Sequence, residues 1–198
     1  MQAHERITAA IGAANEAGRP ALVPFITAGY PEPSEFIATL KAVAAKGDVV
    51  ELGIPFSDPM ADGMTIQRSS FEALQKGVSL KWIFDQLDSA SGEIDAPLVM
   101  MSYLNPLLAF GYDALAERAR AAGVCGFIVP DLPFEESDEI RAALEAKELG
   151  LIQLVTPATP DERLKTLCGA SRGFVYAVTI TGITGGDVGL PSDLADYL

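Results

Sequence analysis

Three carboxylates in one short stretch are the residues best able to do chemistry. Val49-Val50-Glu51-Leu52-Gly53-Ile54 is an apolar run interrupted by an acid. Pro55-Phe56-Ser57-Asp58-Pro59-Met60-Ala61-Asp62-Gly63 follows as a loop rich in Gly, Pro, Ser and Asp. Burying an ionised carboxylate without a partner costs on the order of several kcal/mol. The same burial raises its pKa toward the range useful to a general acid or base. A loop carboxylate that stays hydrated stays ionised, and can stabilise a positive charge that develops beside it. Glu51 and Asp62 therefore suit proton transfer paired with electrostatic stabilisation. A blander role stands beside each: a strand-end Glu in a structural ion pair, and a loop Asp closing an Asx turn.

Composition narrows what such a site could act on. The 198 residues carry 27 Asp and Glu against 14 Lys and Arg, a net charge of −13. That surface repels nucleic acid and anionic membranes, so neither is expected as a partner. A phosphate on the substrate would have to be held by backbone N–H groups and helix N-termini. Hydrophobic residues make up 49% of the chain, enough for a sizeable core. Cys125 and Cys168 have no metal-like spacing and read as reduced thiols, and no metal is expected. No apolar run approaches the roughly 20 residues of a membrane span. The first residues lack the apolar core of a signal peptide, which makes a cytoplasmic location the expectation.

The elements that must position these residues alternate along one domain, 1–198, with no linker-like break. A helix is expected at 2–17 and a strand at 21–27. Ser34 is a candidate cap for a helix at 34–46. A second strand covers 48–53. After the acidic loop come helices at 65–75 and from Ser79 to about 89, the second with Ser79 as cap. The third strand spans 97–102, Asn105-Pro106 reads as a turn, and a helix runs over 111–122. Strands at 124–129, 151–156 and 173–179 alternate with helices at 134–147 and 160–170. Ser192 is a candidate cap for a last, truncated helix. The strands are continuous apolar runs, as in parallel sheets covered on both faces. A doubly wound sheet and a (β/α)8 barrel both fit six such units. Glu51, Asn105, Asp131, Thr156 and Tyr176 or Thr179 lie at or just past strand C-termini, which favours the α/β barrel, where many strands feed one site. No G-x-G-x-x-G follows the first strand and no P-loop lysine is present.

The stretch Glu-Leu-Gly-Ile-Pro-Phe-Ser-Asp-Pro-Met-Ala-Asp-Gly at 51–63, with Thr65-Ile66-Gln67, resembles the signature of the tryptophan synthase alpha chain family. Five further segments resemble that family in order: 24–31, 101–106, 129–133, 156–163, and 173–176 with 181–185. The resemblance implies a TIM barrel that cleaves indole-3-glycerol phosphate to indole and glyceraldehyde 3-phosphate. It implies no cofactor in this chain and a pyridoxal-phosphate beta chain as partner in an alpha2-beta2 heterotetramer. Glu51 matches the catalytic glutamate and Asp62 the catalytic aspartate. Phe25, Met101 and Tyr176 match positions lining the substrate pocket, with Tyr176 either wall or active hydroxyl. Asp58 matches a loop residue that communicates with the beta chain, or else caps its own loop. Thr184 and Gly185 match the mobile loop, where Gly182, Gly185, Gly186 and Gly189 give the freedom a lid needs.

The chain also departs from the family pattern. Members continue for two more β/α units that hold the substrate phosphate, so these residues are expected to form a barrel lacking its last two units. A catalytically impaired fragment or scaffold that docks a beta chain is the alternative function. Met64 stands where the family usually has proline, which would loosen the loop holding Asp62. The turn at Lys46-Gly47-Asp48 is one residue shorter than usual, which would tilt the second strand. Asp131 is left without a role, Trp82 reads as packing, and His4 as exposed.

Overall fold

The structure, a computed structural model, describes residues 1–179. Six strands form one parallel sheet: β1 (Phe25–Thr27), β2 (Val50–Gly53), β3 (Leu98–Met101), β4 (Val124–Ile128), β5 (Gly150–Val155) and β6 (Val175–Ala177). Each pairs with the next in chain order, β1 through β6, with no reversal. A doubly wound sheet needs a switch point where the order turns back. Its absence makes this the wall of a β/α barrel.

The helices are α1 (Ala3–Glu16), α2 (Phe36–Ala44), α3 (Met64–Gln75), α4 (Leu80–Ser89), α5 (Leu104–Phe110), α6 (Tyr112–Ala121), α7 (Asp138–Glu145) and α8 (Asp161–Ala170). Their apolar stripes bury Leu40, Ile83, Phe84, Leu115, Ile140 and Leu144 in the same core as strand residues Val50, Leu52, Met100 and Phe127. The opposite sheet face is set by register. Phe25 pairs with Glu51, Glu51 with Val99, Val99 with Gly126, and Gly126 with Gly150. Residues paired in a parallel ladder point to one side, and so do residues two apart on a strand. Glu51, Phe25, Met101 and, through Leu154, Tyr176 therefore share one face.

The first helix closes the N-terminal mouth of that face. The Thr8 hydroxyl donates to Gly173 O at 3.0 Å, Arg6 Nη2 to Asp95 O at 2.8 Å, and His4 N to Glu148 O at 3.1 Å. These acceptors precede β6, β3 and β5. Ile7, fully buried, fills the space that a Cβ on Gly126 or Gly173 would claim, at 3.4 and 3.1 Å. At Gly173, just before β6, Ile7 alone crowds that space, whereas at Gly126, within β4, the Gly150 carbonyl lies closer still, at 2.9 Å.

Several local expectations are corrected. Asn105-Pro106 is no turn, because the two residues open α5. Proline is tolerated there because the first helical residues have no intrahelical acceptor for their N–H groups. The helix expected at 111–122 is α6, and Gly111, at φ 86°, separates it from the unexpected α5. Ser34 caps nothing. It lies inside a 3-10 turn, Pro33–Glu35, that precedes α2. Ser79 does cap α4, accepting from Trp82 N at 3.2 Å. Trp82 packs its ring 5.5 Å from Phe36. The short turn before β2 leaves the strand in register with both neighbours. Asp48 accepts from both Arg19 guanidinium nitrogens and from Leu22 N, while Gly47 lies against the Pro24 ring. Ser192 lies outside the described residues.

Candidate active site

Glu51 sits mid-strand on the inner face of β2 and is 5% exposed. No hydrogen bond or ion pair reaches its side chain among the described residues. Burial pushes its pKa from the usual 4.5 up to about 7. Both protonation states are then populated near neutrality, which a group that gives and takes a proton requires. Its charge reaches Tyr176, whose hydroxyl is pushed up first by burial and then by Glu51. The register places the two on one face, four strands apart.

Asp62 comes from the loop between β2 and α3. It is part-buried, and burial raises its pKa while a hydrogen bond from Tyr103 draws it down. The loop is pinned around it: Gln67 Nε2 donates to Asp62 O at 2.8 Å, and Ala61 N donates to the Tyr103 hydroxyl at 2.8 Å. Phe25, Asp62, Met101 and Tyr103 line a single cavity with Gly53 and Pro130. Gly53 is required by closeness of approach, since a Cβ there would lie 2.7 Å from Phe25 Cε2. The ring of Phe25 therefore lies directly over the strand. At the cavity's edge the Thr27 and Ser69 hydroxyls pair at 2.7 Å, which holds α3 against β1, while Ser69 donates to Ile66 O within its own helix.

Two of the expected pocket residues, Phe25 and Met101, thus meet the expected catalytic Asp62 at one cavity. Glu51 and Tyr176 belong to the same sheet face without forming that cavity's walls. Asp58 is exposed and takes a hydrogen bond from the neighbouring Ser57 hydroxyl, away from the cavity. Thr184 and Gly185, with the rest of the expected lid, lie outside the described residues. Asp131 acquires a definite partner: its Oδ1 accepts from Leu104 N at 2.9 Å, capping α5.

Tyr103 was missed by sequence reasoning. Its signal was an aromatic residue placed directly after the third strand, in Met101-Ser102-Tyr103. Elsewhere, Cys125 is buried and Cys168 exposed, both free, and no cluster of His, Cys, Asp and Glu among the described residues could hold a metal. No helix among them is long and apolar enough to cross a membrane.

Comparison with known proteins gives a consistent result. The family model described as "Tryptophan synthase alpha chain" matches residues 11–198. The tryptophan synthase alpha chain of Nitratidesulfovibrio vulgaris Hildenborough is 44% identical over 194 residues, 98% of this chain and 76% of that protein. That of Desulfovibrio desulfuricans is 49% identical over 181 residues, 90% of this chain and 71% of that one. Among solved structures, tryptophan synthase from Mycobacterium tuberculosis superposes with a TM-score of 0.86 at 36% identity, covering 96% of this chain and 72% of that chain. Tryptophan synthase subunit alpha from Legionella pneumophila gives 0.82 at 34%, covering 90% and 68%.

Proposed function

Because the chain belongs to the tryptophan synthase alpha chain family, we propose that Glu51 and Asp62 carry out that family's lyase reaction in it. The reaction is the aldol cleavage of indole-3-glycerol phosphate to indole and glyceraldehyde 3-phosphate, a step of tryptophan biosynthesis. Its difficulty is that indole leaves badly as a carbanion. C3 of the ring must gain a proton before or as the carbon–carbon bond breaks, and the adjacent glycerol hydroxyl must lose one. Protonated Glu51 delivers a proton to C3, which places positive charge on the ring nitrogen. The ionised Asp62 carboxylate stabilises that nitrogen and its N–H. The bond then cleaves, its electron pair returns to the ring, and the Glu51 carboxylate takes the proton of the hydroxyl as the aldehyde forms. One proton leaves Glu51 and one returns, so the residue ends as it began.

The observation that carries this reading is the buried Glu51 carboxyl, without a partner among the described residues and with a pKa of about 7, on the face that Phe25, Met101 and Tyr176 share. Phe25 and Met101 supply apolar walls for a flat ring, and Tyr176 closes the far side. The exposed Ser57-Asp58 segment is a part of the β2–α3 loop available to a partner, and the family match assigns Thr184 and Gly185 a lid role. A beta chain is the partner the family implies, and pyridoxal phosphate belongs to that chain. An alpha2-beta2 assembly in the cytoplasm, with this chain as one barrel unit, completes the reading. The test is indole release by the full chain with its beta partner. Glu51→Gln, which keeps the shape and removes the titration, should lower kcat by at least about a hundredfold. Retained turnover would remove Glu51 from the role.

A further inference from the structure

The hydroxyl of Tyr103 lies between two parts of the acidic loop. It accepts from Ala61 N at 2.8 Å, which sets the phenol beside Asp62 on the wall of the same cavity, near enough to draw that carboxyl's pKa down. A hydroxyl with one donor and two acceptor positions can accept from the one and still donate to the other. The ring has little freedom, because Phe56 stacks on it at 5.2 Å and 29° and only 6% of the residue is exposed. Its backbone is held as well. Tyr103 is the N-cap of α5, and the first N–H of that helix, on Leu104, is taken by Asp131 at 2.9 Å. Segments after β2 and β4 thus meet the one after β3 at Tyr103 and Leu104. Among the described residues, the titratable groups acting on Asp62 and Tyr103 are each other and Asp131. Burial and both carboxylates keep the proton on Tyr103, so it remains a donor.

We propose that Tyr103 is a positioning residue that aims the Asp62 carboxylate into the cavity, and that Asp131 fixes Tyr103 through the first turn of α5. Asp62 sits on a loop of Pro, Ser and Gly residues with no strand to orient it. Tyr103 ties the preceding N–H, on Ala61, to the end of β3, a rigid element beside Met101, and sets its hydroxyl next to the Asp62 carboxylate. A carboxylate held this way needs no reorientation when charge appears on a ring nitrogen. The role of Asp62 in the reaction rests on the lyase reading above. The hydrogen bond itself does not.

Two measurements separate the two. Carbon-13 NMR of labelled aspartate in the full chain follows the Asp62 carboxyl without any turnover. Tyr103→Phe keeps the ring and its stack on Phe56, so thermal stability should hold while the Asp62 midpoint rises by about 0.5 to 1 pH unit, the ionised form having lost a donor. With the beta partner present, kcat/KM should fall about tenfold, as for loss of a hydrogen bond to a charged group, and the acid limb of its pH profile should move up with the midpoint. Asp131→Ala should follow Tyr103→Phe in direction, and Asp131→Asn, which keeps an acceptor for Leu104 N–H, should restore wild-type behaviour. An unmoved Asp62 midpoint in Tyr103→Phe would overturn the proposal. A moved midpoint with unchanged turnover would overturn the catalytic assignment of Asp62, and the positioning role with it.

Discussion

Glu51 and Asp62 differ because their surroundings differ. Glu51 is buried with no partner among the described residues, so its charged form is penalised by desolvation. Asp62 is part-buried and holds a donor, which opposes the same penalty. The Glu51 shift is also a statement about stability. Its pKa in the folded chain is about 7, above the ordinary 4.5. The stabilisation is therefore complete below about pH 4.5 and is lost as pH rises through 7. Glu51→Gln removes this dependence and should be more stable than the parent at about pH 8, by up to about 3 kcal/mol. Urea unfolding across pH checks it, and parallel stability curves for the two proteins would mean that Glu51 ionises freely. Glu51 was legible in the sequence because an acid in an apolar run is anomalous by itself. Tyr103 was not, because its hydroxyl partner Ala61 is 42 residues away and nothing local marks the meeting.

At the level of elements, all six strands were legible from their apolar runs, and their ends were read too long. The segment 21–27 keeps only Phe25–Thr27 as ladder, and 173–179 only Val175–Ala177. Apolar residues run past the ladder into connections that are only half-buried, and Leu22 is exposed outright, so hydrophobicity alone does not mark where pairing stops. α5 was hidden by its proline, a breaker in a helix interior and acceptable in a first turn. The same rule yields a prediction at α3. Its N-cap, Gly63, has φ −73° and ψ 164°, the extended conformation that a following proline demands. Met64 is the first helical residue and 85% exposed. Met64→Pro should raise stability by about 0.5 kcal/mol through a less flexible unfolded chain. Thermal or urea denaturation measures it, and a loss of stability would mean that the loop needs freedom at this point.

On the scale of the whole molecule, sequential parallel order makes the sheet curl toward a barrel with its inner face shared by several strands. The inner face has two ends, and they are treated differently. α1 blocks the N-terminal end, and the carboxylates gather toward the C-terminal end, where β/α loops are free to vary. Ile7 is the centre of the plug, fully buried against Gly126 and Gly173. Ile7→Ala should cost about 2 to 5 kcal/mol, since the glycines around it have no side chains to collapse into the space. Equilibrium unfolding tests this. A cost below about 1 kcal/mol would show that α1 closes the mouth without bearing on stability.

By itself the sequence determined the alternation of strand and helix, the anomalous acid in β2 and the residue types of the site. These follow from hydrophobic runs and local breakers, which need no distant contact. Only the tertiary structure decided that the sheet runs without a switch point, since strand order is a property of pairing between segments tens of residues apart. It also decided that Phe25, Asp62, Met101 and Tyr103 meet at one cavity, because register sets which side of each strand faces inward. The proton affinity of Glu51 belongs to the same class. A glutamate titrates near 7 only when the surrounding chain has removed its water and supplied no partner.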